Sequence, residues 1–486
     1  MIPAVTARRR VWPWAVPPCL LALLAALPAL SMPHFRGDEP VFLALGAQLR
    51  AGAPYSLRHV DVWVEPLPAG EGLVLVSIRR GDERRGSLIR YYAGGGEDYH
   101  DAPVSNYGPL LPAALALSQR LLGGDRSAVL AVDPQHEARA RAAGSLAQLR
   151  RAVHTRAARG EYPLAAQVAR WQLPALLPSF LGAVLAPLGA FWLGWRATGQ
   201  APLGCLTALL VATAPVQLLA AHLVQSDVLA AALAALGAAL ALEALLEPRP
   251  RRAARWAALA GLVLGLGVLA KPQAALVGVA YGLTELGLAC RRGTLSARLL
   301  PLAAFSAPAL ALSVPWVVWV GAAAVPYAEG SARYLERGAF GAWVMSRSWS
   351  IYPLNLLYFS PQLLLGALLL WRPGVRPRPG CPTGLARRCP VGLAFALVTL
   401  LLFGLATWGY AGRESRYLLP VYPALALLAA LACARLGRAT GRRLGASGRA
   451  LLGLLVGLLL ARSLQLGGEA VRGGLTHWNA EAFPWF

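Results

Sequence analysis

The chain has 486 residues, of which 57% are hydrophobic and only 14% are charged, against roughly 25% charged residues in soluble domains. Apolar stretches long enough to span a bilayer recur along it, which excludes a soluble multidomain protein and indicates one polytopic membrane domain. The net charge of +23 does not indicate nucleic-acid binding, because the basic residues cluster in the connections between apolar segments, where they set topology and contact lipid headgroups.

The first apolar run extends from Val11 to Ser31 and follows three arginines at positions 8–10. It is longer than the hydrophobic region of a typical signal peptide, and no small-x-small cleavage site follows it. The sequence therefore predicts an uncleaved first transmembrane helix that starts in the cytoplasm.

The later apolar segments predict further spans, and charge asymmetry decides how many there are. Segment 104–122 is apolar but contains Gln119 and Arg120, and if it crossed the membrane every later arginine-rich loop would lie outside. The positive-inside rule disfavours that arrangement. We therefore predict an all-α fold with about eleven transmembrane helices, its N-terminus inside and its C-terminus outside. The spans after the first are 171–195, 203–222, 226–246, 256–270, 273–290, 299–321, 353–371, 390–409, 415–434 and 450–466.

This topology creates a large outer loop, residues 32–170, between the first two spans. Within it we predict a short amphipathic helix over 41–50, a strand-prone insertion over 59–92 and an interfacial or re-entrant helix over 104–122. Residues 135–160 are rich in alanine and arginine and helix-prone. Residues 1–466 then form the transmembrane domain, and 467–486 form a short outer tail.

Charged residues at membrane boundaries are the candidate functional groups, because charge at that depth is costly. Asp38 and Glu39 directly follow the first helix, where a carboxylate could act as a general base or bind a metal ion. A solvated acidic pair that ends a helix explains the same pattern. Asp227 lies at the outer start of the span 226–246, where it could cap the helix, serve the site, or do both.

Lys271 is the single lysine among 46 basic residues, and it ends the glycine-rich segment that begins at Gly261. A compact ammonium at an outer membrane boundary suits a lipid phosphate or diphosphate. Snorkelling of the side chain to the interface is the alternative explanation. The spacing of Gly261 and Gly265 is also typical of close helix packing.

Two further outer connections contain arginines next to aromatic residues. Arg413, Arg416 and Tyr417 lie in a short connection before a long helix, and Arg347 lies in the outer loop 322–352. Such groups could bind phosphate or sugar, but an interfacial belt of aromatic and basic residues has the same composition. No Walker, HExxH or GxSxG motif occurs in the chain, so neither ATP-driven transport nor hydrolysis by those routes has support.

These fragments together resemble the GT-C superfamily of polyprenyl-phosphate-sugar glycosyltransferases. The resemblance is greatest to the protein O-mannosyltransferase-like branch, which includes the aminoarabinose transferase of lipid A. The matching elements, in chain order, are Asp38-Glu39 after the first helix, Tyr107-Gly108-Pro109-Leu110, Ser226-Asp227 at a helix start, Leu269-Ala270-Lys271 at a helix end, and Arg416 to Pro420 before a long helix.

The resemblance implies an inverting transfer of a sugar from a polyprenyl-phosphate donor to a lipid, glycan or protein acceptor. Asp38 would be the catalytic base, Glu39 would assist it, and Lys271 would bind the carrier phosphate. Of the other candidates, Arg413 and Arg416 would help to bind that phosphate, Tyr107, Tyr417 and Arg347 would line the substrate cavity, and Asp227 would face the cavity as a candidate ligand of a divalent metal ion.

The implied location is a bacterial inner membrane, with the active site on the outer face and membrane lipids as further partners. The chain departs from the family at Gly108, where a doubled proline is common, and in its longer first loop. A lipid-linked glycan ligase remains an alternative within enzymes, and a transporter or flippase of lipid-linked sugars is an alternative outside them.

Overall fold

The structure is a computed structural model. It describes residues 11–31, 42, 45–46, 49–50, 52, 60–66, 73–80, 87–89, 108–122, 128–131, 165–337, 350–364, 383–408 and 415–476.

The described part of the chain is predominantly helical, as the sequence predicts. Its helices are α1 (Val16–Ala26), α2 (Leu110–Leu122), α3 (Ala165–Thr198), α4 (Ala201–Ala212), α5 (Pro215–Ala221), α6 (Ser226–Leu246), α7 (Pro250–Ala270), α8 (Ala275–Arg292), α9 (Leu295–Arg337), α10 (Ile351–Phe359), α11 (Pro361–Leu364), α12 (Thr383–Trp408) and α13 (Tyr422–Thr476). Short 3₁₀ helices occupy Trp12–Ala15, Leu27–Ser31, Pro272–Ala274 and Ser415–Val421.

Eight helices in the described residues are long and apolar enough to cross a membrane, and a ninth results if the bent pair α4 and α5 is one span. The predicted count of eleven is therefore not reached in this part of the chain. The predicted spans 415–434 and 450–466 fall in one helical run, Arg416–Glu469, which is interrupted at Gly445, where φ is +65°. The predicted span 353–371 is described only as far as residue 364.

Helix α2, as the structure describes it, is too short to cross a membrane. Its 13 residues extend about 20 Å at 1.5 Å per residue, which is less than the ~30 Å of a hydrocarbon core. One face is buried, with Leu111 and Leu115 fully inaccessible, and packs in the same cluster as Phe42 and Leu45. The opposite face exposes Leu117 and other leucines. This arrangement agrees with the interfacial or re-entrant helix that the sequence predicts.

A small antiparallel sheet lies in the first loop. Its strands are β1 (Val60–Pro66), β2 (Leu73–Arg80), β3 (Ser87–Ile89) and β4 (Ala128–Ala131), in the order β3-β1-β2-β4. In the register of β1 with β2, residue 60 pairs with residue 80. Three of the strands fall within the strand-prone insertion 59–92, whereas β4 is a strand that the sequence analysis did not predict.

Helix α6 is the centre of the bundle and packs against α3 and α7. Small residues make the close approach possible: a Cβ added at Gly189 of α3 would lie 2.6 Å from the backbone nitrogen of Leu236. The α7–α9 pair uses the predicted glycine motif, since a Cβ at Gly261 would lie 2.1 Å from the carbonyl oxygen of Phe305. Backbone-to-backbone packing of this kind fixes where the two ends of α6 lie.

The end of α6 distant from Asp227 is stabilised by a buried ion pair. Glu243 is 5% exposed and accepts hydrogen bonds from Arg196 Nη2 at 2.5 Å and from Trp192 Nε1 at 3.0 Å. Removing one partner of a buried pair leaves an uncompensated charge.

We expect Glu243→Gln to destabilise the protein by about 3 kcal/mol, because Arg196 would lose its counter-ion inside the bundle. Thermal unfolding in detergent measures this as a lower midpoint. Glu469→Gln is the matched control, because Glu469 is exposed and accepts a local hydrogen bond from Gln465. Equal midpoints for the two variants would contradict a stabilising role for the Arg196–Glu243 pair.

Candidate functional site

Three segments that are distant in sequence meet at one end of α6. Asp227 lies in the first turn of α6, Lys271 directly follows α7, and Arg416 lies in the 3₁₀ helix Ser415–Val421. The structure therefore brings together three of the candidate residues that the sequence analysis selected.

The Asp227 carboxylate lies between two cations. Lys271 Nζ donates a hydrogen bond to Asp227 Oδ1, and Arg416 Nη1 lies 3.7 Å from Asp227 Oδ2. The Asp227 side chain is 3% exposed, whereas the side chains of Lys271 and Arg416 are 16% and 28% exposed. The carboxylate is thus at the base of the cluster, and the two cationic side chains are partly exposed.

Two neutral side chains complete the cluster. Gln225 Oε1 accepts a hydrogen bond from Arg416 Nη1 at 3.1 Å, and Lys271 Nζ lies 4.9 Å from the centroid of the Tyr417 ring. An aromatic face at that distance attracts a cation and fixes its direction. Tyr417 is a predicted site residue, whereas the sequence analysis did not select Gln225. The sequence signal for Gln225 is its position two residues before Asp227.

Local backbone structure explains why Lys271 leaves the bundle at this point. Pro272 cannot continue the hydrogen bonds of α7, and the Lys271 backbone is extended, with φ −159° and ψ 128°. The Lys271 N–H still donates to the carbonyl of Gly267 at 2.8 Å. The helix therefore ends in a fixed geometry, and the ammonium forms an ion pair with Asp227.

The structure shows which residue occupies the N-cap position of α6. The N-cap position of α6 belongs to Gln225, and Asp227 follows inside the first turn. A carboxylate in the first turn of a helix is favoured by the helix dipole, but both Asp227 oxygens face the neighbouring cations. Asp227 therefore belongs to the cation cluster and is not the capping residue.

Gly108 explains one of the departures from the family pattern. A Cβ at this position would lie 1.9 Å from the carbonyl oxygen of Leu269, two residues before Lys271. No side chain fits in that space, and a proline ring would overlap the same carbonyl. Glycine at 108 thus lets the start of α2 pack directly against the end of α7, beside the cluster.

Lys271 and Arg416 face the two oxygens of Asp227, the candidate metal ligand. Within the residues that the structure describes, no group of three or more His, Cys, Asp or Glu side chains could hold such an ion.

The remaining predicted site residues lie outside the described residues. They are Asp38, Glu39, Tyr107, Arg347 and Arg413.

The chain is similar to known proteins in the region that carries two of the clustered residues. Residues 167–319 match the sequence model of the family described as Dolichyl-phosphate-mannose-protein mannosyltransferase. This range covers less than half of the chain and contains Asp227 and Lys271. No curated protein matches the chain significantly in sequence.

Solved structures match over nearly the whole length. The oligosaccharyltransferase of Archaeoglobus fulgidus, in complex with Zn and sulfate, superposes on 95% of this chain with a TM-score of 0.51 and 14% identity. The fold is of the GT-C type. The resemblance that the sequence predicts is thereby confirmed at the level of the fold, and the chain spans 53% of the length of that archaeal protein.

ArnT from Cupriavidus metallidurans, bound to undecaprenyl phosphate, is a second GT-C structure with similarity to this chain. The identity is 16%, the coverage is 96% of this chain and 76% of ArnT, and the TM-score is 0.47.

Proposed function

We propose that this protein is a membrane glycosyltransferase that moves a sugar from a polyprenyl-phosphate carrier to an acceptor hydroxyl or amine on the outer face of its membrane. The observation that carries the proposal is the cluster of Lys271, Arg416 and Asp227, which holds two partly accessible cations at one end of an apolar bundle. A lipid-linked phosphate needs both features, because its headgroup requires cations and its tail requires the bilayer.

The reaction assigned to this site needs little chemistry from the protein. The acceptor attacks C1 of the sugar, the bond between C1 and the phosphate oxygen breaks, and its electron pair stays on the phosphate. The leaving group is an anion, so cations stabilise it better than a proton donor would. Lys271 and Arg416 are assigned that role. Attack from the face opposite the phosphate inverts the configuration at C1.

The acceptor needs a base within hydrogen-bond reach, because its hydroxyl or amine is weakly acidic. Asp38 is assigned that role from its position after the first helix, with Glu39 assisting. Arg413 is assigned to the carrier phosphate, and Tyr107, Tyr417 and Arg347 to the walls of the substrate cavity. No step of the proposed reaction passes through a metal ion.

The proposed orientation follows from the arginine-rich connections. Placing these connections in the cytoplasm puts Asp227, Lys271 and Arg416 at the outer surface, on the side where lipid-linked sugars are consumed in a bacterial inner membrane. The acceptor would then be a lipid, a glycan or a protein of the envelope. Residues 59–92 and 135–160 are candidates for an acceptor-binding or partner-binding surface.

The proposal is tested with purified protein in proteoliposomes that contain a radiolabelled polyprenyl-phosphate sugar and an envelope extract as the acceptor source. Transfer releases free polyprenyl phosphate, which thin-layer chromatography separates from the donor whatever the acceptor is. We expect protein-dependent release that requires the extract. Movement of intact donor between leaflets without release would instead support a flippase.

A prediction follows from the contact at Gly108. Gly108→Ala should lower the rate of transfer by about 100-fold, because a shift of about 1 Å at a catalytic centre costs that much and the new methyl group must displace Leu269 or α2. Gly453→Ala is the matched control, since a Cβ at Gly453 meets nothing within 4 Å. Equal rates for the two variants would mean that the contact with α2 does not position Lys271.

A further inference from the structure

Arginines at the start of α7 line an open cavity at the end of that helix opposite to Lys271. Arg252 and Arg255 are among the lining residues, and Leu300 of α9 lines the cavity as well. All three side chains are exposed. The cavity has a volume of about 690 Å³, which lies within the roughly 300–1,000 Å³ that is typical of ligand sites.

The length of α7 places this cavity at the level of the lipid headgroups. Helix α7 has 21 residues and extends about 32 Å at 1.5 Å per residue, close to the ~30 Å of a hydrocarbon core. Lys271 follows the last residue of α7 at one membrane boundary. The arginines at the start of the helix therefore lie at the other boundary.

An exposed apolar stripe continues from these arginines toward the centre of the bilayer. Arg252, Arg255, Leu259 and Leu262 occur at intervals of three and four residues, which places them on one face of α7. The two leucines are 46% and 42% exposed. This face of the helix therefore changes from cationic to apolar in the direction that leads from the headgroups to the acyl chains.

Helix α9 continues the same surface on the other side of the cavity. A Cβ added at Gly261 would contact Phe305. One turn further on, a Cβ at Gly265 would contact Ala309, so α7 and α9 run in parallel. Leu300 consequently lies at the level of the arginines, and it is 50% exposed. A ligand in the cavity would thus contact cations on one helix and apolar side chains on both.

The connections on this side of the membrane contain almost no acidic residues. In the predicted topology they are residues 1–10, 196–202, 247–255, 291–298, 372–389 and 435–449, and Glu247 is the single acidic residue in their sequence. The Glu247 carboxylate accepts a hydrogen bond from the backbone N–H of Arg249. Arg252 and Arg255 form no ion pair with another described residue. An anion that neutralises these arginines must therefore come from outside the chain.

We propose that this cavity binds the headgroup of an anionic phospholipid, with its phosphodiester at Arg252 and Arg255 and an acyl chain along Leu259 and Leu262. A general attraction between basic connections and the membrane surface needs neither a cavity nor a continuous apolar stripe. The start of α7 also favours an anion, because the N-terminus of a helix carries a partial positive charge. The inference does not rest on the proposed function, and the lipid takes part in no step of sugar transfer.

Native mass spectrometry of the purified protein in detergent measures the binding. The ligands are phosphatidylglycerol, which is anionic, and phosphatidylcholine with the same acyl chains, which is zwitterionic. We expect the wild type to prefer phosphatidylglycerol. The double variant Arg252→Met/Arg255→Met should bind phosphatidylglycerol about 30-fold more weakly, because each arginine close to an anionic lipid contributes roughly five-fold to the affinity. The affinity for phosphatidylcholine should change little.

The matched control is the double variant Arg442→Met/Arg443→Met. Both arginines are exposed residues of α13, and their loss removes the same charge from the same side of the membrane. This variant should keep the wild-type affinity for phosphatidylglycerol. The titrations are repeated in a Lys271→Met background, where the same differences are expected, so that lipid phosphate bound at the candidate functional site is not counted.

Equal affinities of the two double variants for phosphatidylglycerol would reduce the arginines to a general attraction and overturn the site. Equal affinities of the wild type for the two lipids, a comparison that needs no variant, would overturn it as well. Glycerophosphoglycerol, the headgroup without acyl chains, should not displace phosphatidylglycerol at equal concentration. If it does, the ligand is a soluble phosphodiester and the assignment to a lipid fails.

Discussion

Lys271→Met is expected to lower the rate of sugar transfer by about 100- to 1000-fold, the loss typical when one donor to a developing anion is removed. In the structure Lys271 Nζ is bound to Asp227 and lies over the Tyr417 ring, so it is held in one position before any substrate arrives. Methionine keeps the length and apolar character of the side chain but has no charge. The variant would leave Arg416 and Arg413 to stabilise the leaving phosphate, beside a carboxylate that repels it.

Initial rates of polyprenyl phosphate release in proteoliposomes measure this effect. Arg251→Met is the matched control, because Arg251 is an exposed residue at the opposite end of α7 and its loss removes one positive charge from the protein surface. Lys271→Arg should recover part of the rate, since the charge is retained but the compact ammonium geometry is lost. A rate within two-fold of the wild type for Lys271→Met would mean that Lys271 only anchors α7 at the membrane interface.

Asp38→Asn is expected to lower the rate of transfer by about 100- to 10,000-fold, the range that general base catalysis contributes. Asparagine has nearly the same shape as aspartate but cannot accept the proton of the attacking hydroxyl or amine. Binding of the donor should be unchanged, because the phosphate is assigned to Lys271 and Arg416. The expected pattern is therefore a loss of rate without a loss of donor affinity.

Glu39→Gln is the control for Asp38→Asn. The two carboxylates are adjacent in the sequence, so both variants remove one negative charge at the same place. A larger loss for Asp38→Asn than for Glu39→Gln identifies the base. Undiminished transfer in Asp38→Asn would support the alternative explanation of this sequence, a solvated acidic pair that ends the first helix.

Most of the helices could be predicted because hydrophobic length is a local property. The prediction 226–246 coincides with α6, whereas the prediction 256–270 begins six residues after α7 does. The difference has a simple cause: apolarity marks the part of a helix inside the bilayer, and the arginines at the start of α7 extend the same helix into water.

Hydrophobic length alone did not predict the bend within segment 203–222. It was predicted as one span, and the structure divides it into α4 and α5 at an angle of 64°. Pro215 at the start of α5 accounts for the break, because proline disfavours helical backbone at the residue before it. The proline was visible in the sequence, but hydropathy alone does not reveal whether a proline bends a span or is accommodated within it.

The charged residues of the candidate site and Tyr417 could be predicted from the sequence, whereas Gln225 and Gly108 could not. Asp227, Lys271 and Arg416 were selected because a charge at the membrane boundary is costly and because they match a family pattern. Gln225 and Gly108 act through contacts with Arg416 and Leu269, which lie far away in the sequence. A polar residue near a helix start and a glycine before a proline are common, so only the tertiary structure distinguishes these two positions.

The central claim is that Asp38 and Lys271 line one cavity that opens to the outside. The direct test is labelling with a membrane-impermeant maleimide in a cysteine-free background that carries Asp38→Cys or Lys271→Cys, or retains only the native Cys290. Cys290 is exposed near the end of α8, beside the arginines that the topology places in the cytoplasm. The account predicts that positions 38 and 271 react in intact cells and that Cys290 reacts only after the membrane is opened. Labelling of 38 and 271 from opposite sides of the membrane would contradict it.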